Sequence, residues 1–270
     1  MEKPNHPLRP LATFFLIATL LPWVSQMLPY TFKLPWIDWI CPVLLGLGGF
    51  FLKEGRHFEP VNLRQGRFWL WMGVAVLVVA VLQAPLIVGY RTGRSYFTYG
   101  SEQWGEFRWK FYFLIVPATA VSVVMFEWAL RRKMWRILER RLDSWVVCLL
   151  TSAAGTLVAL PRLYLASGAE DPVYFWAALG ELVLFECLLS LFVLRSGFVL
   201  PGMVLKTALQ LVGFYLLGDI LSPYLAVLNY SSSSPLFYGF RVGVTGAVVG
   251  TLVLAGYFLK PPVEEKSILR

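Results

Sequence analysis

Six ionisable residues stand inside long apolar stretches of this chain, and these are the residue types that could do chemistry. Each unpaired charge at membrane depth costs about 2.5–3.5 kcal/mol, so a charged residue there is expected to have a role. Carboxylates and amines can serve acid–base catalysis, ion transfer or internal pairing. Both histidines, His6 and His57, lie outside these stretches, so a histidine-ligated metal site within the membrane is not predicted. The six residues are Glu127, Arg162, Glu181, Glu186, Lys206 and Arg241.

Three of these residues could have a structural role instead of a chemical one. Glu127 and Arg131 are four residues apart, so they could form an ordinary helical ion pair worth a few tenths of a kcal/mol. Lys206 lies roughly 10 Å into its apolar stretch at 1.5 Å per residue, and its amine could extend back to the headgroups. Glu186 lies near the middle of its stretch, where a carboxyl group needs a buried partner or a proton.

The composition of the 270 residues excludes a soluble globular enzyme. Hydrophobic residues make up 57% of the chain and charged residues 15%, against about 45–50% and 25% in soluble domains. The mean hydropathy is +0.63. The 11 Trp and 12 Tyr suit the two interfaces of a bilayer. We therefore predict an integral membrane protein of a cell or inner membrane, with the lipid bilayer as a partner and nucleic acid excluded.

Eight apolar stretches come close to the length of about 20 residues that crosses the hydrocarbon core. They predict an all-α, polytopic membrane bundle of about eight transmembrane helices, of which the second is short and could be tilted or partly re-entrant. The stretches run roughly Leu11–Leu28, Ile37–Leu52, Phe68–Tyr90, Phe111–Leu130, Trp145–Leu165, Phe175–Leu194, Val199–Leu217 and Phe237–Leu259.

The distribution of basic residues predicts the orientation of these helices. With the N-terminus inside, 16 of the 24 Lys and Arg fall on the inner side and five on the outer side. The positive-inside rule therefore places both termini inside and accounts for most of the formal charge of +8. The basic stretch Arg131–Leu142 is expected to lie on the anionic leaflet as an amphipathic helix.

Three segments combine polar, small and basic residues in a fixed order. The first reads FEWALR over residues 126–131 and continues into the basic stretch. The second is the small-residue run SAAGTLVAL over residues 152–160. The third reads LRSGFVLPGMVLKTALQ over residues 194–210.

In this order and at this spacing, the segments resemble the CPBP family of intramembrane proteases. That family includes the type II CAAX prenyl endopeptidases and bacteriocin-processing or immunity proteins. Its motifs are EExxxR, FxxxH and an LRTGSxxPxxxxH frame followed by xxxN. The resemblance places Glu127, Arg131, Leu160, Lys206 and Gln210 at the family's functional positions.

The departures from the family fall on the residues that would do its chemistry. A carboxylate and imidazoles activate water there, directly or through a metal, and an Asn stabilises the oxyanion. Here Phe126 stands for the first Glu, while Leu160 and Lys206 stand for the two His residues. The resemblance therefore implies a pseudoprotease with no assigned catalytic residue and no cofactor.

The substitution of His by Lys206 suggests a structural role for the former active-site region. An ammonium there would occupy the place of a bound cation and could pair with Glu127 or Glu186. We predict such a polar core, with snorkelling of Lys206 as the alternative; an amine more than about 6 Å from both carboxylates would favour snorkelling.

Three functions are considered from the sequence. The first is a catalytically inactive, CPBP-like membrane protein that acts as a binding scaffold, an immunity-type factor or an accessory subunit, with a membrane-protein partner or complex. The second is an intramembrane CAAX-type endopeptidase with an atypical active site around Glu127. The third is a transporter or channel component, prompted by the charges within spans. We expect no enzymatic activity.

The resemblance and the spans divide the chain into three parts. Residues 1–110 hold three N-terminal membrane helices and an interfacial loop. Residues 111–217 form the CPBP-like core with four spans, and residues 218–270 hold an interfacial segment, the last span and a charged tail.

Overall fold

The structure is a computed structural model, and it describes residues 8–29, 32–33, 36–52, 66–91, 111–167, 172–217, 243 and 245–254. Within these ranges the chain is all-helical, without a β-strand. Three helical stretches, Pro10–Met27, Phe113–Glu139 and Ser144–Pro161, are long and apolar enough to cross a membrane. The predicted all-α membrane protein is confirmed at this level.

Every described helix except the short helix Trp135–Glu139, which lies in the basic stretch Arg131–Leu142, overlaps one of the apolar stretches identified in the sequence. The α-helices are α1 Leu8–Leu20, α2 Cys41–Phe50, α3 Gly66–Arg91, α4 Val116–Glu127, α5 Trp135–Glu139, α6 Ser144–Ser167, α7 Pro172–Ser196, α8 Leu200–Leu217 and α9 Thr245–Leu254. A 3₁₀ turn, Leu21–Met27, extends α1. Wider π-helical turns precede α2 at Trp36–Ile40 and α4 at Phe111–Ile115, and a third, Trp128–Met134, joins α4 to α5.

The turn between α7 and α8 has a clear local cause. Gly197 adopts φ +74° at the end of α7, a left-handed conformation that side chains with a Cβ rarely adopt. Its N–H donates to the Val193 carbonyl at 2.9 Å, and the Phe198 N–H donates to Ser196 Oγ at 2.9 Å. Pro201 then lies in the first turn of α8, where the missing N–H is tolerated. The RSG and Pro features of the third segment are thus the signals of a helix end and a helix start.

Two apolar cores hold the helices around the middle of the bundle. In one core, Leu188 and Phe192 of α7 pack with Leu205 of α8 and with Ala75 and Leu82 of α3. The other core joins α1, α2, α4 and α6 around the two tryptophans Trp128 and Trp135. These cores surround the segment where α4, α7 and α8 approach one another.

The expectation that Arg131–Leu142 lies on the leaflet is wrong for most of that stretch. Trp135 is 1% exposed and Leu138 is 7% exposed, while Leu142, at 38%, is outside the core. The helix does not end at Glu127 but continues through the π-helical turn into the bundle, where α2 packs against it. A glycine allows this approach: a Cβ on Gly49 would lie 2.8 Å from Ala129 Cβ.

Candidate functional site

Four charged side chains meet inside the bundle, and we name them the ion-pair cluster: Glu127, Arg131, Glu186 and Lys206. Glu127 is the last residue of α4, Arg131 lies in the following π-helical turn, Glu186 lies in the middle of α7, and Lys206 lies in the second turn of α8. All four are buried. Three separate parts of the chain therefore supply charges to one enclosed place.

Each carboxylate of the cluster is shared between the two cations. Lys206 Nζ donates to Glu127 Oε1 at 2.6 Å and to Glu186 Oε1 at 3.1 Å. Arg131 Nη1 donates to Glu127 Oε2, and Arg131 Nη2 donates to Glu186 Oε2. Each of the four carboxylate oxygens is therefore engaged by a cationic donor.

The position of the Lys206 amine decides between internal pairing and snorkelling. Both carboxylates lie well within the 6 Å limit set from the sequence. The amine also lies 4.8 Å from the centroid of the Phe126 ring, close enough for a cation–π contact. Lys206 is therefore an internal partner of Glu127 and Glu186, which is the arrangement predicted in preference to snorkelling.

Arg131 links the cluster to α7 more extensively than the sequence indicated. Besides its two carboxylate partners, Arg131 Nε donates to Ser190 Oγ at 3.3 Å, and Nη2 donates to the Glu186 carbonyl at 3.1 Å. The planar guanidinium can reach several acceptors at once. The spacing of Glu127 and Arg131 predicts their own pair, but it carries no signal for partners that lie 55 and 59 residues further along the chain.

The π-helical turn between Glu127 and Met134 gives the local geometry that brings Arg131 to α7. Such wide turns insert an extra residue into a helix and occur often at functional sites. The cluster begins at the residue where α4 changes to this wider form. The local sequence gives no proline or glycine signal for this change.

Small residues of α6 make room for the cluster. A Cβ on Gly155 would lie 2.7 Å from Glu186 Cδ and closer still to Oε2, so a larger residue here would force this carboxylate to shift from its ion pairs. Ser152 Oγ donates to the Glu186 carbonyl at 3.3 Å, and Thr151 Oγ1 lies 3.2 Å from Ser190 Oγ. Ser152 and Gly155 of the second segment therefore pack against Glu186, and Thr151, just before the segment, contacts Ser190.

The cluster is electrically balanced, with two carboxylates and two cations when all four groups are ionised. Bringing such charges out of water is costly, and the attraction among them offsets this cost only when the remaining donors and acceptors are paired. Here the pairing is complete on the carboxylate side. The arrangement can hold three helices together, and it keeps both carboxylates paired with cations and 1% exposed, away from water.

The remaining positions matched to the family lie apart from this chemistry. Leu160 of α6 and Gln210 of α8 are both half-buried, and neither takes part in the hydrogen bonds of the cluster. Within the part of the chain that the structure describes, no group of three His, Cys, Asp or Glu side chains could hold a metal ion.

Other charges predicted within spans have separate positions. Glu181 of α7 is 3% exposed and has interactions of its own outside the cluster's hydrogen bonds. The side chain of Arg162 and the whole of Arg241 lie outside the described residues.

Comparison with known families and proteins identifies no relative of this chain. Neither a family model, nor a curated protein, nor a solved structure matches it. The function is therefore argued from the cluster and its surroundings.

Proposed function

We propose that this protein is a catalytically inactive, CPBP-like membrane protein that acts by binding, as a scaffold or accessory subunit for another membrane protein. The observation that carries the proposal is the engagement of all four carboxylate oxygens by Arg131 and Lys206. A general base needs an available lone pair directed at water. In the ion-pair cluster each carboxylate oxygen already accepts from Arg131 or Lys206, and both carboxylates are 1% exposed, so their access to water is poor.

The cluster suits a binding protein because it fixes the relative positions of helices. Glu127, Glu186 and Lys206 tie α4, α7 and α8 to one another at a single buried point. A binding surface gains affinity when it is held in one conformation before the partner arrives. The former protease cavity of the family would thus have become a rigid support for the outer surface of the bundle.

The membrane arrangement that goes with this proposal has eight spans with both termini inside a cell or inner membrane. The described helices overlap the eight apolar stretches, and the shorter apolar helices Trp36–Phe50, Gly66–Leu82 and Thr245–Leu254 accompany the three long ones. Single cysteines introduced at Lys3 and Arg270 in a variant without native cysteines test it. We expect both to react with an impermeant maleimide only after the inner side is opened; labelling of either one in sealed cells would contradict it.

Absence of proteolysis is the first test of the proposal. The full chain in phosphatidylglycerol–phosphatidylethanolamine vesicles is incubated with a farnesylated CAAX peptide and, separately, with a hydrophobic transmembrane peptide. We expect product formation to equal that of the matched variant Glu127→Gln, because neither protein has an available base. Cleavage by the natural chain that the Glu127→Gln variant lacks would overturn the proposal in favour of an endopeptidase.

The binding half of the proposal needs a separate test. The tagged chain is extracted from its native membrane in a polymer nanodisc that retains neighbouring proteins, alongside an unrelated polytopic protein as a control. We expect a second membrane protein at a fixed ratio with this chain and not with the control. Recovery of the chain alone, in monodisperse form, would contradict a scaffold role.

A further inference from the structure

Three helix ends meet at one edge of the bundle around a second arginine, away from the ion-pair cluster. Arg67 is the second residue of α3, Trp145 is the second residue of α6, and Arg195 is the second-last residue of α7. The Arg195 guanidinium lies over the Trp145 ring, 5.0 Å from its centroid. We name these three residues the arginine edge.

The side chain of Arg195 has donors without an acceptor among the residues that the structure describes. Its Nε and Nη2 are enclosed and make no hydrogen bond within the described ranges. Of the two acidic residues next to the start of α6, Glu139 accepts from Ser144 Oγ at 3.2 Å and Asp143 is exposed. Enclosed donors of a charged group without acceptors are rare in proteins and point to a ligand that supplies the acceptors.

Arg67 adds a second guanidinium to the same place. Its Nη2 donates to the Arg195 carbonyl at 2.6 Å, which satisfies one of the last carbonyl groups of α7. This bond holds the exposed Arg67 side chain beside the end of the helix that carries Arg195. Two guanidinium groups held near one another favour a doubly accepting anion such as a phosphate.

The surface beside the arginine edge favours a lipid as the source of that phosphate. Following Trp145 along α6, Val146 and Leu149 are 41% and 63% exposed, so an apolar wall runs from the edge toward the middle of the membrane. Arg140 and Arg141, which shortly precede Trp145 in the chain, are exposed as well. Basic residues and a tryptophan next to an apolar surface are typical of the part of a membrane protein that contacts lipid headgroups.

We propose that the arginine edge is a binding site for the phosphate of an anionic phospholipid, with Arg195 and Arg67 as its donors and the outer face of α6 as the wall for an acyl chain. To reach the enclosed donors, the phosphate takes the place of part of the Trp145 contact, and the Arg195 side chain turns toward it. This site is independent of the function proposed for the ion-pair cluster.

Lipid retention measured by native mass spectrometry tests this site. The full chain is purified in detergent, supplemented with dioleoyl phosphatidylglycerol or dioleoyl phosphatidylcholine, and the bound fraction is measured over a concentration series. We expect one phosphatidylglycerol per chain in preference to phosphatidylcholine, and an affinity at least about fivefold lower for Arg195→Gln. Arg195→Lys should fall between the two, because an ammonium keeps the charge and loses the planar fork.

A charge-matched variant and a soluble anion complete the experiment. Lys33→Gln removes one positive charge between α1 and α2, on the predicted outer side, and should bind phosphatidylglycerol within about twofold of the natural chain. Equal affinity of Arg195→Gln and the natural chain, or an equal loss in Lys33→Gln, would overturn the proposal. Displacement of the lipid by millimolar inorganic phosphate would also overturn it, since the site would then recognise a free anion. The thermal unfolding midpoint of each variant is recorded, and a variant that has lost its fold is replaced by Arg67→Gln.

Discussion

Arg131 in the ion-pair cluster donates to two carboxylates, a serine hydroxyl and a backbone carbonyl. Arg195 at the arginine edge has an aromatic ring beneath it and, among the described residues, two donors without acceptors. The two side chains are chemically identical and differ in what the fold places around them. Arg131 is 1% exposed and lies between three helices. Arg195 lies at a helix end beside exposed apolar and basic residues. The comparison indicates that the bundle supplies acceptors for the donors of a charged side chain in its interior. At its edge, a charged side chain keeps donors that a ligand can use.

The largest effect is expected from removing the arginine of the cluster. Arg131→Met leaves Glu127 and Glu186 to share a single ammonium in a buried place. Breaking a buried ion pair in this way costs about 3–5 kcal/mol of unfolding free energy. Reversible unfolding in mixed micelles, followed by tryptophan fluorescence, measures it.

An exposed arginine close in sequence to Arg131 provides the control for this measurement. Arg141→Gln should change the free energy of unfolding by no more than about 0.5 kcal/mol. If Arg131→Met lowers the free energy of unfolding by less than about 1 kcal/mol, the two carboxylates do not depend on Arg131 for their compensating charge. Changing all four cluster residues to Met together should recover most of the loss, because no uncompensated charge then remains. Failure to recover it would mean that the ion pairs themselves stabilise the fold.

The next effect concerns the space beside Glu186. Gly155→Ala places a methyl group against the Glu186 carboxylate, where a Cβ would lie 2.7 Å from Cδ, and overpacking of this kind costs about 1–3 kcal/mol. Gly202→Ala is the matched control, because its nearest neighbouring atoms lie 3.8 Å away. We expect Gly202→Ala to be neutral or stabilising, since alanine favours a helix. Equal unfolding free energies for the two variants would contradict the tight packing at Gly155.

A smaller effect is expected from the hydroxyl that completes the bonding of Arg131. Ser190→Ala removes the acceptor of Arg131 Nε and the partner of Thr151 Oγ1. Loss of one buried hydrogen bond costs about 1–3 kcal/mol when a donor is left unpaired, and we expect the lower end because Thr151 keeps its bond to the Val147 carbonyl at 2.9 Å. Ser190→Cys, with a weak acceptor of similar size, should have a free energy of unfolding between those of Ser190→Ala and the natural chain. A Ser190→Cys variant less stable than Ser190→Ala would count against a role of this hydroxyl as an acceptor.

The smallest effect on stability is expected at the arginine edge. Arg195→Gln in micelles without anionic lipid should change the free energy of unfolding by at most about 1 kcal/mol, because partly exposed charges contribute little. Adding phosphatidylglycerol should stabilise the natural chain and leave Arg195→Gln nearly unchanged, since a ligand that binds only the folded state shifts unfolding. A destabilisation as large as that of Arg131→Met would show that the two arginines have the same structural role.

The sequence was sufficient to predict the helices and one part of the cluster. Apolar length predicts α-helical membrane segments because backbone groups must be paired internally in lipid, and the described helices overlap those segments. The isolation of Lys206 and Glu186 within apolar stretches predicts that they need partners, and the structure pairs them. These inferences depend on local composition, which a sequence displays directly.

The parts that could not be predicted depend on contacts between distant segments. The bond from Arg131 to Glu186 joins residues on different helices, and no periodicity encodes it. The burial of Trp135 was missed because an amphipathic stretch packs equally well against a leaflet or a bundle when considered alone. The need for glycine at position 155 is a consequence of where the Glu186 carboxylate lies.

The distribution of the cluster along the chain also bears on how the protein enters its membrane. Glu127 and Arg131 emerge from the ribosome together as a neutral pair on one helix, whereas Glu186 and Lys206 follow on the α7–α8 hairpin, 20 residues apart. Each of these two pairs can therefore enter the bilayer with its charges balanced, which avoids the insertion cost of an isolated charge. A nascent chain halted before α8 would carry Glu186 without its Lys206 partner, so completion of this hairpin is the step at which the charges of the cluster become balanced.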